Sequence, residues 1–514
     1  MAYPSIAARS LISLTMLVGL VACDRAGDSD SASGANAPVV ATPTAANDQQ
    51  APPNETSPPA ARDAVTDRAH VEPPSVQPDP AKTQPHEKAA PRAKTPGGDL
   101  THTSRAAPIG RRRAKRPLMV YEQPQLGTEF RGKIPHGEVF ELFELVDGPE
   151  CRGEGWGRIG DAAYVCLRHT EPTEDPAFTL PTELVDGLAP FHYARLKPKD
   201  GEGNNPPAPQ WRSSTAMRRG VEPEAYLQPE HDYAFVKRRR LRRGAMLYRS
   251  NHRVVREADV KRMKPSDFAG RDTTARPIPA GTVMSWSITW PFASVHAEPS
   301  ASSAVAGKLP LHEELLVHDE PKTERGITWY PVAEPHAGWV QAEEIRRWNP
   351  TEAPAEVKAL EPWLDVDLSQ QVLALRRGAE VEFVTLISSG NWKHVTPRGI
   401  FRLESKWAFA DMRSRAGDDD TYFVEGVPWA MYFRGRYALH GTFWHNRFGR
   451  RTSHGCINLS AHDARYVYER TAPVAKPGWV VTHEHLREPG TLIRIRRGDE
   501  VPPDRRRPPR GSPS

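Results

Sequence analysis

HGTFWHNRFGRRTSHGCINL, residues 440–459, is the most chemically dense stretch of this 514-residue chain. It holds His440, His445 and His454, and with them Cys456, one of only four cysteines. Three readings compete for it: a metal site, a structural loop, or a nucleophile with its base. Structural zinc takes four ligands and catalytic zinc three, often a Cys-x2-Cys pair with spaced histidines. Here one cysteine stands alone and the histidines lack the i, i+4 spacing of a helix face, so neither a metal nor any other cofactor is expected. Ser453-His454-Gly455-Cys456 instead sets a thiol beside a glycine, just before an expected helix start. Backbone N–H groups at such a turn can face a developing oxyanion, and a helix N-terminus favours a thiolate. His440, arriving on a different strand, can take the thiol proton. Those are the parts needed for acyl transfer through a thioester.

The flanking sequence reads as strands. In PWLDVDLSQQVLALRRG (362–378), Leu364, Val366 and Leu368 alternate with Asp365 and Asp367, and a Gln-Gln turn leads to Val372, Ala374 and Arg376. That pattern predicts a hairpin meander with one buried face, leaving both aspartates toward solvent. In HVTPRGIF (394–401), Pro397 fixes a turn that Gly399 permits before the next strand. WAMYFRGRYALHGT (429–442) predicts a strand pair ending at His440. SAHDARYVYERTA (460–472) fits a helix capped by Ser460, with Ala464, Val467 and Tyr468 on one face.

Composition bounds the remainder. A net charge of +5 over this length gives no case for nucleic acid as a partner. The basic runs RRRAKR (111–116), KRRRLRR (237–243) and DRRRPPR (504–510) read as solvated faces or tails, with an anionic wall polymer or lipid headgroup as the alternative. Residues 1–22 carry one charge, Arg9, and an apolar run from Leu11 to Val21. Eleven residues span about 16 Å as a helix, too short for a bilayer core. This predicts an export signal. Leu20-Val21-Ala22-Cys23 resembles a bacterial lipobox, which implies that Cys23 is acylated and anchors a periplasmic protein to a membrane; which membrane is left open. A plain secretory signal with a chance cysteine is the alternative. Residues 23–114, rich in Ala, Pro, Ser and Thr, predict a disordered tether. A loose basic tail is expected over 498–514. Export implies oxidising conditions. Cys151 and Cys166 flank one short segment and are a disulfide candidate against two free thiols, which leaves Cys456 unpaired.

Between tether and meander lies a near-repeat. Gly132-Lys133-Ile134-Pro135 matches Gly307-Lys308-Leu309-Pro310, eleven residues separate Pro124 from Pro135 and Pro299 from Pro310, and Trp156 and Trp329 follow. Short apolar runs broken by Gly and Pro predict small antiparallel strands over 115–175 and 286–348. The two units resemble bacterial SH3-like barrels. Binding to wall glycan or peptide is one reading of them, and spacers are the other. Residues 176–285 contain strand-like pieces of uncertain, β-rich character.

His440-Gly441-Thr442, followed sixteen residues after the histidine by Cys456 within Ser453-His454-Gly455-Cys456-Ile457-Asn458, resembles the signature of the YkuD-type L,D-transpeptidases. DVDLSQQVLAL, Ser388-Ser389-Gly390 and Thr396-Pro397-Arg398-Gly399 are similar too. The resemblance covers roughly 357–497. It implies a mainly β, multidomain protein: SH3-like barrels, then a β-rich catalytic domain with a few helices. It further implies that Cys456 attacks a peptidoglycan stem peptide, with His440 as proton acceptor and donor. Ser453, His454, Gly455 and Asn458, with Gly441 and Thr442, would support the loop and the oxyanion. Trp444, His445, Arg450 and Arg451 are candidates for the substrate pocket, the arginines as a carboxylate clamp. A second stem peptide as acceptor gives a 3–3 cross-link. Water as acceptor gives an L,D-carboxypeptidase or amidase, and a wall-binding scaffold is the reading of another class.

Overall fold

The computed structural model describes residues 107–175, 189–198, 204–242, 244–250, 253–414, 421–476, 478–486 and 488–498. The expected export signal, Cys23, most of the tether, DRRRPPR and all but the first residue of the basic tail lie outside them. The described part is mainly β, as expected.

The meander forms as read. Pro362–Asp367, Val372–Arg377 and Glu380–Leu386 pair antiparallel in sequence order. Leu492–Arg496 returns parallel beside the first of them, with Gly399–Arg402 outside it, and Arg271–Asp272 takes the opposite edge. The expectation of one buried face does not hold. Leu364, Val366, Leu373 and Leu375 enter the core with Ile493 and Ile495. The other face is covered as well: Val372, Ala374, Val384 and Leu386 pack against Met284 and Trp286.

Asp365 and Asp367, read as solvent-facing, are each only 2% exposed. Asp365 Oδ1 accepts from Arg494 Nε and Arg496 Nε, both at 3.0 Å, and Asp367 Oδ2 accepts from Arg496 at 2.9 Å. The backbone at 349–352 closes over them, with the Asn349 and Glu352 carbonyls accepting from Arg496 and Arg494. Alternation tells which residues share a face. It does not tell whether another layer covers that face.

A second sheet faces the meander across the core. Phe423–Arg434 pairs with Ser405–Arg413 and with Tyr437–Thr442, which lies parallel to Ile457–Ser460. The helix Ala461–Glu469 buries Ala464, Val467 and Tyr468 in the same core, and the Ser460 side chain caps it by accepting from the Asp463 N–H. The expected helix start directly after Cys456 is corrected: a strand of four residues intervenes, so the helix dipole does not act at the thiol.

This sheet continues at both ends into the upstream chain, reaching thirteen strands among the described residues. At one end Val481–His483 bridges Ser405–Arg413 to Phe130–Ile134. Gly132 permits that contact, because a Cβ there would meet the Val481 carbonyl at 2.4 Å and the Trp479 ring at 2.5 Å. At the other end Phe423–Arg434 pairs parallel with His231–Phe235, which pairs with His192–Leu196 and then Val260–Met263. The uncertain region 176–285 is thus, where described, β structure fused to the second sheet.

The near-repeat carries equivalent elements. Gly132-Lys133-Ile134 lies in Phe130–Ile134 and Gly307-Lys308-Leu309 in Val305–Pro310, while Trp156 and Trp329 are both fully buried. Two expectations near residue 114 are corrected. The strand Gly110–Ala114 belongs to the first β unit rather than to a tether. Within the basic run Arg112 is buried, donating to Glu154 at 2.5 and 2.8 Å. Cys151 and Cys166 are joined by a disulfide, and Cys456 is free.

Candidate active site

The loop before Cys456 is held by its backbone. Ser389 O accepts from the N–H groups of Thr452 and Ser453, Asn391 N donates to Ser453 O, and Ser388 and Asn458 exchange two bonds of 2.9 Å. The segment 394–399 locks it further: Thr396 Oγ1 donates to Gly455 O at 2.8 Å and accepts from Gly390 N at 2.9 Å. Gly455 sits at φ +111°, where a Cβ would strike the Tyr437 ring at 2.7 Å. Glycine is required there. The Gly455 N–H donates to Ser453 Oγ at 3.1 Å, and Ser453 Oγ donates to the Cys456 carbonyl. This ST-type turn aims the thiol outward, and Cys456 is half-buried with Sγ 3.8 Å from the Arg436 carbonyl.

His440 is brought beside it by strand register. Tyr437–Thr442 and Ile457–Ser460 are parallel neighbours with His440 opposite Asn458, two residues past Cys456. Gly441 lets the strands and helix close, since a Cβ there would lie 3.0 Å from Pro428 and 3.2 Å from Ala461. His440 Nδ1 lies 3.2 Å from the Gly441 carbonyl. A carbonyl only accepts, so Nδ1 carries the proton and Nε2 keeps its lone pair. Burial depresses the His440 pKa to about 4 and pushes the Cys456 thiol up. The resting pair is therefore thiol and neutral imidazole rather than an ion pair.

His445 is a further neutral imidazole, depressed to about 4 by burial first and then by Arg447 and His440. Its Nδ1 accepts from the Arg447 N–H at 3.1 Å, so Nε2 carries the proton and donates to the Asn458 side-chain amide, 2.9 Å away. That amide orients His445 while the Asn458 backbone braces the loop. His454 is exposed, its ring in tilted contact with those of His394 at 4.6 Å and Tyr422 at 4.9 Å. Thr442 is buried with no hydrogen-bond partner for its hydroxyl.

A cleft of about 720 Å³ gathers His440, Cys456, Trp444, His445, Ser453, His454 and Asn458. Arg450 and Arg451, expected as pocket candidates, do not line it. Arg450 donates to the Ile288 carbonyl at 2.8 Å, and Arg451 Nε donates to the Gly390 carbonyl at 2.9 Å. Both are spent on fixing the loop, because the backbone turns their side chains away from the cleft. Within this stretch, the cation that lines it is Arg447.

The sequence reading also missed the opposite wall. Arg195, Lys197, Glu230, His231, Asp232 and Lys261, all from 189–263, line the cleft with Tyr422. Tyr193 stacks on Phe443 at 3.5 Å and donates to the Gly426 carbonyl at 2.8 Å, and Arg249 forms an ion pair with Glu425. No local motif marks these residues. Strand pairing far along the chain puts them there.

Residues 361–495 match the sequence model of the YkuD family, the L,D-transpeptidase catalytic domain. This segment resembles a YkuD-type L,D-transpeptidase domain. The matched segment is similar to YciB of Bacillus subtilis (strain 168), named as a candidate L,D-transpeptidase, with 26% identity over 133 residues. That match covers 22% of this chain and 63% of the relative, so the chain spans less than two thirds of that protein's length. Among solved structures, the Enterococcus faecium L,D-transpeptidase catalytic domain is 22% identical, covering 27% of this chain and 98% of that one at a TM-score of 0.22. The Mycobacterium smegmatis L,D-transpeptidase is 21% identical, covering 40% and 99%, at 0.22.

Proposed function

We propose that this protein is a peptidoglycan L,D-transpeptidase acting through a Cys456 thioester. One observation carries the reading: the only free cysteine among the described residues and a buried neutral imidazole, His440, line one cleft from adjacent parallel strands. Cys456 Sγ attacks the carbonyl carbon of the third residue of a stem tetrapeptide. His440 Nε2 takes the thiol proton as the C–S bond forms and hands it to the departing amine of the terminal D-alanine. The amine of a second stem peptide then attacks the thioester, and its proton returns by way of His440 to the thiolate. The product is a 3–3 cross-link and a free thiol. With the pKa values apart in this sense, proton transfer accompanies attack rather than preceding it.

The upstream β units are proposed to be SH3-like modules that hold wall polymer, on a protein exported and lipid-anchored through Cys23 in the periplasm. The test is incubation of the soluble chain with disaccharide tetrapeptide, read by intact mass and product mass. An adduct on Cys456 and a cross-linked dimer are expected, and both should vanish in Cys456→Ala. Turnover retained in that variant would refute the nucleophile, and a tripeptide in place of a dimer would identify water as the acceptor.

A further inference from the structure

The wall contributed by 189–263 has a charge pattern that the fold does not require. Strand register sets Lys261 directly opposite Arg195, and Arg195 directly opposite Asp232. Asp232 in turn pairs with Val424 of Phe423–Arg434, the strand next to the one that carries His440, so this row runs across the sheet toward the site. Lys197 lies two residues beyond Arg195. All four charged residues line the cleft shared with Cys456. Like charges directly opposite on a sheet are destabilising. Asp232 offsets only one of them, since both its oxygens are taken by Arg195 at 2.8 and 2.9 Å. Lys197 and Lys261 are exposed and have no carboxylate partner among the described residues.

Among the described residues the fixed charges lining the cleft are Arg195, Lys197, Lys261 and Arg447 against Glu230 and Asp232, a surplus of two positive charges. Three of the four histidines that line it do not add to the surplus, because burial holds His231, His440 and His445 toward the neutral form. Charges of one sign on a concave wall focus their field into the cleft, far more than on a convex surface. A lysine ammonium is a mobile point charge suited to a carboxylate on a flexible peptide.

We propose that Lys197 and Lys261 form a carboxylate-binding subsite opposite Cys456, with Arg195 held as its base by Asp232, and that it selects acyl donors whose stem peptide carries free rather than amidated carboxylates. This rests on the transpeptidase reading above. It gives 189–263 a role in substrate choice that the matched domain alone does not contain.

The test compares the full exported chain on a tetrapeptide donor with free carboxylates and on its carboxamide counterpart, following the Cys456 adduct by intact mass. The wild type is expected to favour the free donor by about tenfold in kcat/KM, with the preference falling as salt screens the lysines. Lys197→Ala/Lys261→Ala should bring the ratio close to one. Lys197→Arg/Lys261→Arg should retain most of it, which separates lost charge from lost packing. A wild type with no preference, or an alanine pair that keeps it, overturns the subsite while leaving the thioester chemistry standing. Wild-type chain that forms no adduct on either donor overturns both.

Discussion

At the residue scale the chemistry turns on how burial divides protons between Cys456 and His440. An imidazole depressed to about 4 remains a competent base through the whole neutral range. Adduct formation should therefore show an acid limb near pH 4, followed as kcat/KM against pH, and a limb near 6.5 would mean that His440 is solvated. His440→Asn should cost roughly 10²–10⁴-fold in the same assay, the usual contribution of a positioned general base. Stability has its own pH dependence. His440 and His445 bind protons less readily folded, at about 4, than unfolded, at 6.5, so the unfolded chain gains protons first. Stability is present above pH 6.5 and is lost as pH falls through that window toward 4. Denaturant midpoints across pH 4–7 would show the slope, and His445→Phe should flatten part of it.

At the scale of elements the site depends on a loop and on a sheet. Gly455→Ala would force a Cβ into the Tyr437 ring at a backbone angle that L-residues resist, a local cost of about 1–3 kcal/mol. Because the loop carries the thiol, adduct formation should fall by more than that loss of stability accounts for, as comparison of thermal melting with acylation rates would show. The sheet is pinned by the cluster of Asp365, Asp367, Arg494 and Arg496. Asp365→Ala strands two buried guanidinium groups and should destabilise the chain by about 3–5 kcal/mol in denaturant unfolding. An exposed aspartate would cost close to nothing. That contrast separates the buried cluster from the solvent-facing reading that alternation suggests.

At the scale of the molecule the segment 361–495 does not stand alone. Its meander is covered by Met284 and Trp286, its second sheet is continued on both edges, and its cleft has one wall from 189–263. The loop around Phe448 is buttressed from upstream too: His312 reaches the Phe448 carbonyl at 3.1 Å and Arg346 the Gly449 carbonyl at 3.0 Å. A fragment of residues 357–497 would expose Val372, Ala374, Val384 and Leu386 and two open strand edges. It should aggregate or melt well below the full chain, and little adduct should form. The disulfide is the converse case. Cys151 and Cys166 close a loop with a sequence separation of 15, worth about 3 kcal/mol in the chain-entropy account. Replacing both with alanine should lower the stability of the first β unit by that order while leaving adduct formation on a soluble tetrapeptide nearly unchanged.

Sequence by itself determined what is local. Periodicity two marks the strands at 362–377, Ser460 marks the helix start, and glycines mark the turns where only they fit. The spacing of His440 and Cys456 carried the resemblance to the family, because that chemistry needs a thiol on a tight turn and a base on a neighbouring strand. What only the tertiary structure decided is non-local: which faces are covered, whether Asp365 meets water or Arg494, and that Arg450 ties a loop while Lys197 and Lys261 line the cleft that holds Cys456. Those outcomes rest on contacts between segments 129 to 192 residues apart in sequence. Side-chain pattern along a strand specifies its own two faces and says nothing of its partner.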